Sequence, residues 1–130
     1  MASILLDTTV LIDVLRGYRA VDRLRRLHAA GDVPYVCAVN VEETVRGLEA
    51  DEEEHAHRLF RGLRIAPLGS QQGWQAGEWR RRFARKGVTL AQADCLIAAA
   101  ALSAGGRLAT GNPRHFPMDE LTVEHWPAGE

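Results

Sequence analysis

The sequence predicts an α/β domain in which a mainly parallel sheet is covered by helices on both faces. Three observations predict it. Apolar runs suited to strands alternate with helical patterns along the chain. The first run, "SILL", reads as a strand buried on both sides. The length of 130 residues suits one domain with a real core.

Residues 3–6 ("SILL") are the first predicted strand. A helix follows from about Thr9 to Leu15 and stops near Gly17. Residues 20–30 ("AVDRLRRLHAA") place Val21, Leu24, Leu27 and His28 at helical spacing and end at Gly31. "PYVCAV" (34–39) is a strand and "VEETVRGL" (41–48) a helix. "DEEEHAHRLFRGL" (51–63) is a helix with acids in its first turn and Arg at its end, as the helix dipole prefers. "RIAPL" (64–68) is a short strand. "QQGWQAGEWRRRFARKG" (71–87) is amphipathic, with Trp79 and Phe83 one turn apart. "LAQADCLIAAAALSAG" (90–105) is a nearly all-apolar helix, "RLAT" (107–110) a strand, and "LTVEHW" (121–126) a candidate last strand.

Composition sets the outer limits. Hydrophobic content is 46%, charge is 25% and the net charge is −1, so no global basic field argues for a nucleic-acid partner. A locally charged site remains compatible with one. Lys86 is the only lysine, which removes any mechanism needing two. Cys37 and Cys95 sit in apolar runs and read as free buried thiols, so a cytoplasmic setting is expected. No Cys/His spacing suits structural zinc. The start lacks a basic region and a long apolar stretch, so no signal peptide is expected. No apolar run is long enough to span a membrane.

Four positions could carry chemistry. Asp7 ends the first strand, where α/β sheets bind ligands; an N-cap is its plainer role. Glu43 fits a capping box with Asn40 as cap, yet as a ligand it would point over the same rim, with Glu42 as the fallback. Asp94 lies beyond a capping box formed by Thr89 and Gln92, on a face whose neighbours are Leu90, Ala91, Ile97 and Ala98. A charge there needs a cation or strong donors; an ion pair with a distant Arg is the alternative. Asn112, in "TGNPRHF", follows a strand and is equally a turn residue. All four map to one rim. Carboxylates brought together repel unless a divalent cation sits among them. Oxygen-only donors favour Mg²⁺ or Mn²⁺ over zinc.

These residues resemble the PIN-domain family, specifically the VapC-like toxins of toxin–antitoxin pairs. The markers are "LLDTTVLID" with "LRG", then "EETVRG", "GVTLAQADCLIAAAAL" and "LATGNPRHF", in that order over nearly the whole chain. The resemblance implies a single PIN-like domain over 1–130, a three-layer α/β/α fold and Mg²⁺-dependent endoribonuclease activity. Carried over by position, Asp7, Glu43 and Asp94 match the family's acids, and the E-x-x-x-G spacing to Gly47 selects Glu43 over Glu42. Thr8 and Thr110 are expected to support the site. Asn112 departs from the Asp often found there and brings no charge, which implies a weaker second metal site. Asp119 lies too far along to replace it. The resemblance also implies an RNA substrate, a VapB-like antitoxin that blocks the site, and a homodimer.

Other residues have plainer readings. Arg80, Arg81 and Arg82 point three ways around a helix and read mainly as a solvated face. His55 and His57, two apart, do not face each other. His115 reads as a turn residue near the site. Trp74, Trp79 and Trp126 read as core or dimer surface. A haloacid-dehalogenase pattern would need Asp where Thr9 stands; a receiver domain would need a paired acid and a late lysine. The rival from another class is a protein-binding module that keeps the fold with weak catalysis because of Asn112.

Overall fold

The computed structural model describes residues 2–130. Strands β1 (Ser3–Leu6), β2 (Val33–Val36), β3 (Arg64–Ile65), β4 (Arg107–Thr110) and β5 (Thr122–His125) form one all-parallel sheet ordered β3-β2-β1-β4-β5. The helices are α1 (Thr8–Leu15), α2 (Ala20–Ala29), α3 (Ala38–Arg46), α4 (Glu53–Arg61), α5 (Ser70–Ala84) and α6 (Gln92–Ser103). Short 3₁₀ turns occupy Ala50–Glu52 and Pro113–His115. The candidate last strand, over 121–126, is present as β5.

This order places the site. The chain winds outward from β1 through β2 to β3, then returns to the other flank of β1 as β4 and β5. The connections after β1 and β4 therefore leave in opposite directions, which opens a crevice at their carboxyl ends. Leu5 pairs with Leu108 and Leu6 with Ala109. The Asp7 N–H then donates to the Ala109 carbonyl at 2.9 Å, so Asp7 and Thr110 stand side by side above the sheet.

The strands' two-residue period feeds two cores. Ile4, Leu6, Val36 and Ala109 face one side, with Val10 and Leu11 of α1 and Leu27 of α2. Leu5 and Leu108 face the other, with Trp79 of α5 and Ile97 of α6. The alanines at 98–101 are all buried, which lets α6 lie close against the sheet. The expected three-layer α/β/α arrangement is present. Cys37 and Cys95 are free and buried. Among the described residues, no helix is long and apolar enough to cross a membrane.

Several boundaries differ from the sequence reading. The strand expected over 64–68 is only Arg64–Ile65. The helices expected over 51–63 and 71–87 end at Arg61 and Ala84, with Gly62 next and Gly87 nearby. Two more differences lie beside the site. Strand β2 ends at Val36 and α3 starts at Ala38, so Asn40 is not the cap: it is the third helical residue, and its Oδ1 accepts the Cys37 N–H at 2.9 Å. The capping box of Thr89 and Gln92 does not form. Arg80 Nε donates to the Leu90 carbonyl at 3.2 Å, holding that segment outside the helix, and α6 begins only at Gln92. Asp94 is consequently in the first turn of α6 rather than beyond it.

One charged cluster ties α5 to the segment before β5. Glu120 accepts from Arg82 at 3.1 and 3.2 Å and from Trp79 Nε1 at 3.0 Å. These donors, Arg82 foremost, hold its carboxyl down at about 2. The pair is partly exposed, so solvent screening limits its worth to about 1 kcal/mol. A lowered pKa stabilises the fold above the ordinary value of 4.5, and that stability is lost as the pH falls through about 2. Replacing Glu120→Gln is expected to lower the Tm by about 4 °C at neutral pH. In thermal melts the gap should narrow as the pH falls from 4.5 towards 2; a gap independent of pH would contradict the assignment.

Candidate metal centre

Asp7 is the N-cap of α1, as its plainer reading allowed, and only 6% exposed. One carboxylate oxygen accepts the Thr8 N–H at 2.8 Å; the other accepts the Thr110 hydroxyl at 2.7 Å. Thr110 is fully buried, and its Oγ1 also accepts the Asn112 N–H at 3.0 Å. Next to Asp7, the Thr8 hydroxyl donates to Glu43 Oε1 at 2.8 Å, and Asn40 Nδ2 donates to the same hydroxyl at 3.2 Å. Glu43 thus reaches the rim from the second turn of α3. Glu42 is exposed and lies 3.8 Å from Arg46, which removes it as the fallback.

Asp94 enters from α6. Its Oδ2 stands 3.3 Å from Nδ1 of His115, so its partner is this histidine and not an Arg. Asn112 is exposed, and its backbone rather than its side chain joins the Thr110 network. Gly111 lets this loop cross tightly over α1: its N–H donates to Thr9 Oγ1 at 2.9 Å, and a Cβ there would stand 3.2 Å from that oxygen.

The electrostatics link all three acids. Burial pushes the Asp7 carboxyl up; the Thr110 and Thr8 hydrogen bonds pull it back, and the Asp94 and Glu43 charges push it up further. Burial also lifts Asp94, with His115 opposing and Glu43 adding to the rise. Burial raises Cys37 as well and takes Cys95 up to about 11, so neither is a nucleophile.

Asp7, Glu43 and Asp94 are thus close enough to repel, and Asp7 receives hydrogen bonds but no positive charge from its neighbours. Among the described residues, no three of the His, Cys, Asp and Glu side chains converge tightly enough to clasp an ion directly. An oxygen-only, mutually repelling set of this kind fits a hydrated Mg²⁺, which keeps several waters and takes one or two carboxylates.

Sequence reasoning missed Asn40 as a support: its signal, a polar residue inside a helix, was absorbed by the wrong cap. His115 occupies the 3₁₀ turn, as its sequence context suggests, and also meets Asp94. His55 and His57 are exposed, as expected, as is Trp74, while Trp79 and Trp126 are core.

The raised Asp7 pKa has a sign that can be measured. Its charged form opposes folding, so the penalty is absent below the ordinary value of 3.8, builds as the pH rises towards the raised folded pKa, and is fully in force above it. In EDTA at pH 7, Asp7→Asn is expected to melt no lower than the native chain, and relatively lower as the pH falls towards 4. Mg²⁺ at about 100 times its Kd should stabilise the native chain by about 2.7 kcal/mol and leave the variant unmoved. A native Tm indifferent to Mg²⁺ would contradict the site. Thr110→Val, which strips Asp7 of its hydroxyl donor, is expected to weaken Mg²⁺ affinity about 10–100-fold in the same titration.

Residues 4–121 match the PIN domain. The chain is 36% identical over 118 residues to Ribonuclease VapC10 of Mycobacterium tuberculosis, covering 90% of this chain and 88% of that protein. Its fold is similar to a chain of VapBC2 from Rickettsia felis bound to a promoter DNA fragment, with a TM-score of 0.80, 20% identity and 95% and 98% of the two chains covered. A chain of DNA-bound VapBC from Salmonella typhimurium gives 0.77, 22% identity and 97% and 99% coverage. The chain belongs to the PIN-domain family and is a homologue of its VapC ribonucleases.

Proposed function

We propose that the chain is the ribonuclease toxin of a toxin–antitoxin pair and hydrolyses RNA phosphodiester bonds at the rim formed by Asp7, Glu43 and Asp94. The observation that carries this is Asp7, buried with hydrogen bonds but no cation, beside two further carboxylates that raise its pKa. Likeness to a protein named ribonuclease over 90% of the chain supports it.

Asp7 and Asp94 would hold Mg²⁺, or Mn²⁺, with Glu43 acting directly or through water. When bound, the ion offsets charge on the phosphate oxygens and activates the attacking water. The protein's own groups do the positioning. Thr110 fixes the Asp7 carboxylate, and Thr8 fixes Glu43. His115 steadies Asp94 and stands beside the cavity where substrate would lie. Asn112 lines that cavity and offers a neutral amide, so a second ion would be held weakly.

Homologous folds come from VapBC toxin–antitoxin complexes, which supports a VapB-like antitoxin as partner. An apolar cleft of about 340 Å³ between α3 and α4, bordered by the exposed Val45 and Ile65, suits a helix of such a partner. A homodimer would have a ready surface on α5, where Trp74 is 71% exposed.

The purified chain without antitoxin is expected to cleave RNA with Mg²⁺. EDTA or Asp94→Asn should reduce cleavage by on the order of 100-fold or more, while Glu42→Gln, at the exposed neighbour, should not. No cleavage of any RNA by a folded chain that still binds an antitoxin would favour the protein-binding module instead.

A further inference from the structure

Two cavities follow one another around the sheet edge. One, of about 560 Å³, lies beside the candidate centre and is lined by Asn112, Arg114, His115 and His125. His125 is the last residue of β5, and it also borders a second hollow of about 310 Å³. That hollow is walled by Arg23, Arg26 and Leu27 of α2, with Glu124 and Trp126. β5 is an edge strand, so no further strand separates the two.

The second hollow is cationic. Its one acid, Glu124, is held by Arg107 at 2.6 Å. Arg23 and Arg26 are three residues apart and share a helix face. Among the described residues, neither makes an ion pair. Arg25, between them, instead lies 3.5 Å from Asp22. Nη1 of Arg23 is buried with no hydrogen-bond acceptor. A buried guanidinium nitrogen left unpaired is costly, and such an exception calls for an acceptor from outside the chain.

We infer that this hollow holds a phosphate of the RNA strand beyond the scissile bond, with Arg23 and Arg26 as positioning residues. The inference rests on the ribonuclease reading above. A strand leaving the carboxylates at the end of β1 crosses β4 and β5, two strand spacings or about 10 Å, and arrives at the hollow. A polyanion needs cationic support there, because the rim itself is acidic and repels it. Continuity with the cleavage site favours nucleic acid over an acidic peptide.

The test measures RNA binding by anisotropy in an Asp94→Asn background, which removes cleavage. The probes are labelled single-stranded RNAs of about twelve and about four nucleotides. Arg23→Gln and Arg26→Gln should each weaken the longer RNA about 3–10-fold and flatten the salt dependence of log K by about 0.7. The shorter RNA cannot bridge both hollows and should lose nothing. Arg25→Gln is the control on the same helix. With Asp94 intact, the loss should appear in KM for long RNA. Arg26 is exposed, so its variant tests the site even if Arg23→Gln disturbs folding. Unchanged binding and salt slope in both variants, with native cleavage intact, would overturn the pocket and spare the ribonuclease reading. So would variants that lose only antitoxin binding, which would make the hollow protein-facing. A native chain that neither binds nor cuts RNA would remove both.

Discussion

Asp7 is the constraint around which the structure is arranged: a carboxylate buried at the end of the central strand, given hydrogen bonds but no cation. Leaving a charge in that position costs several kcal/mol without compensation. The fold supplies part of it through the Thr8 N–H and the Thr110 hydroxyl. It then brings up two more carboxylates, which make the electrostatics worse. A core selected for stability alone would not be built this way. A proton or an added positive charge relieves this repulsion, and oxygen donors with room for water suit a hard divalent ion.

Each part of the site depends on a different long-range contact. β1 and β4 stand together because the chain reverses its winding at β1, which sets Thr110 beside Asp7. Glu43 depends on Asn40, whose amide bridges the start of α3 and the Thr8 hydroxyl. Asp94 depends on Arg80, which holds the Leu90 carbonyl outside α6 and so delays the helix until the carboxylate sits in its first turn. The helix N-terminus there adds a favourable field for the negative charge.

Much of this was legible in the sequence. Alternation of strand and helix patterns identified the layers, and the reading that Asp7, Glu43 and Asp94 share one rim agrees with the charges that reach Asp7, although Asp94 was expected past the first turn of its helix and sits within it. What failed was local capping. "NVEE" and "TLAQ" both satisfy the capping-box pattern, yet neither forms it, because capping strength is about 1 kcal/mol and tertiary contacts override it. Asn40 is drawn inside the helix by the Cys37 N–H, and Arg80 holds the Leu90 carbonyl outside α6. The hydrogen bonds of Thr8 and Thr110, and the meeting of Asp94 with His115, span 35, 103 and 21 positions or so along the chain and leave no local pattern. The hollow between α2 and β5 was invisible for the same reason.

The most direct measurement is the titration of the Asp7 carboxyl carbon by NMR, in EDTA and in saturating Mg²⁺. In EDTA the pKa should lie above the ordinary 3.8, because burial and the neighbouring acids disfavour the charge. With Mg²⁺ it should fall below that value, as the ion stabilises the carboxylate. Identical titration curves with and without Mg²⁺ would contradict a metal centre at this rim.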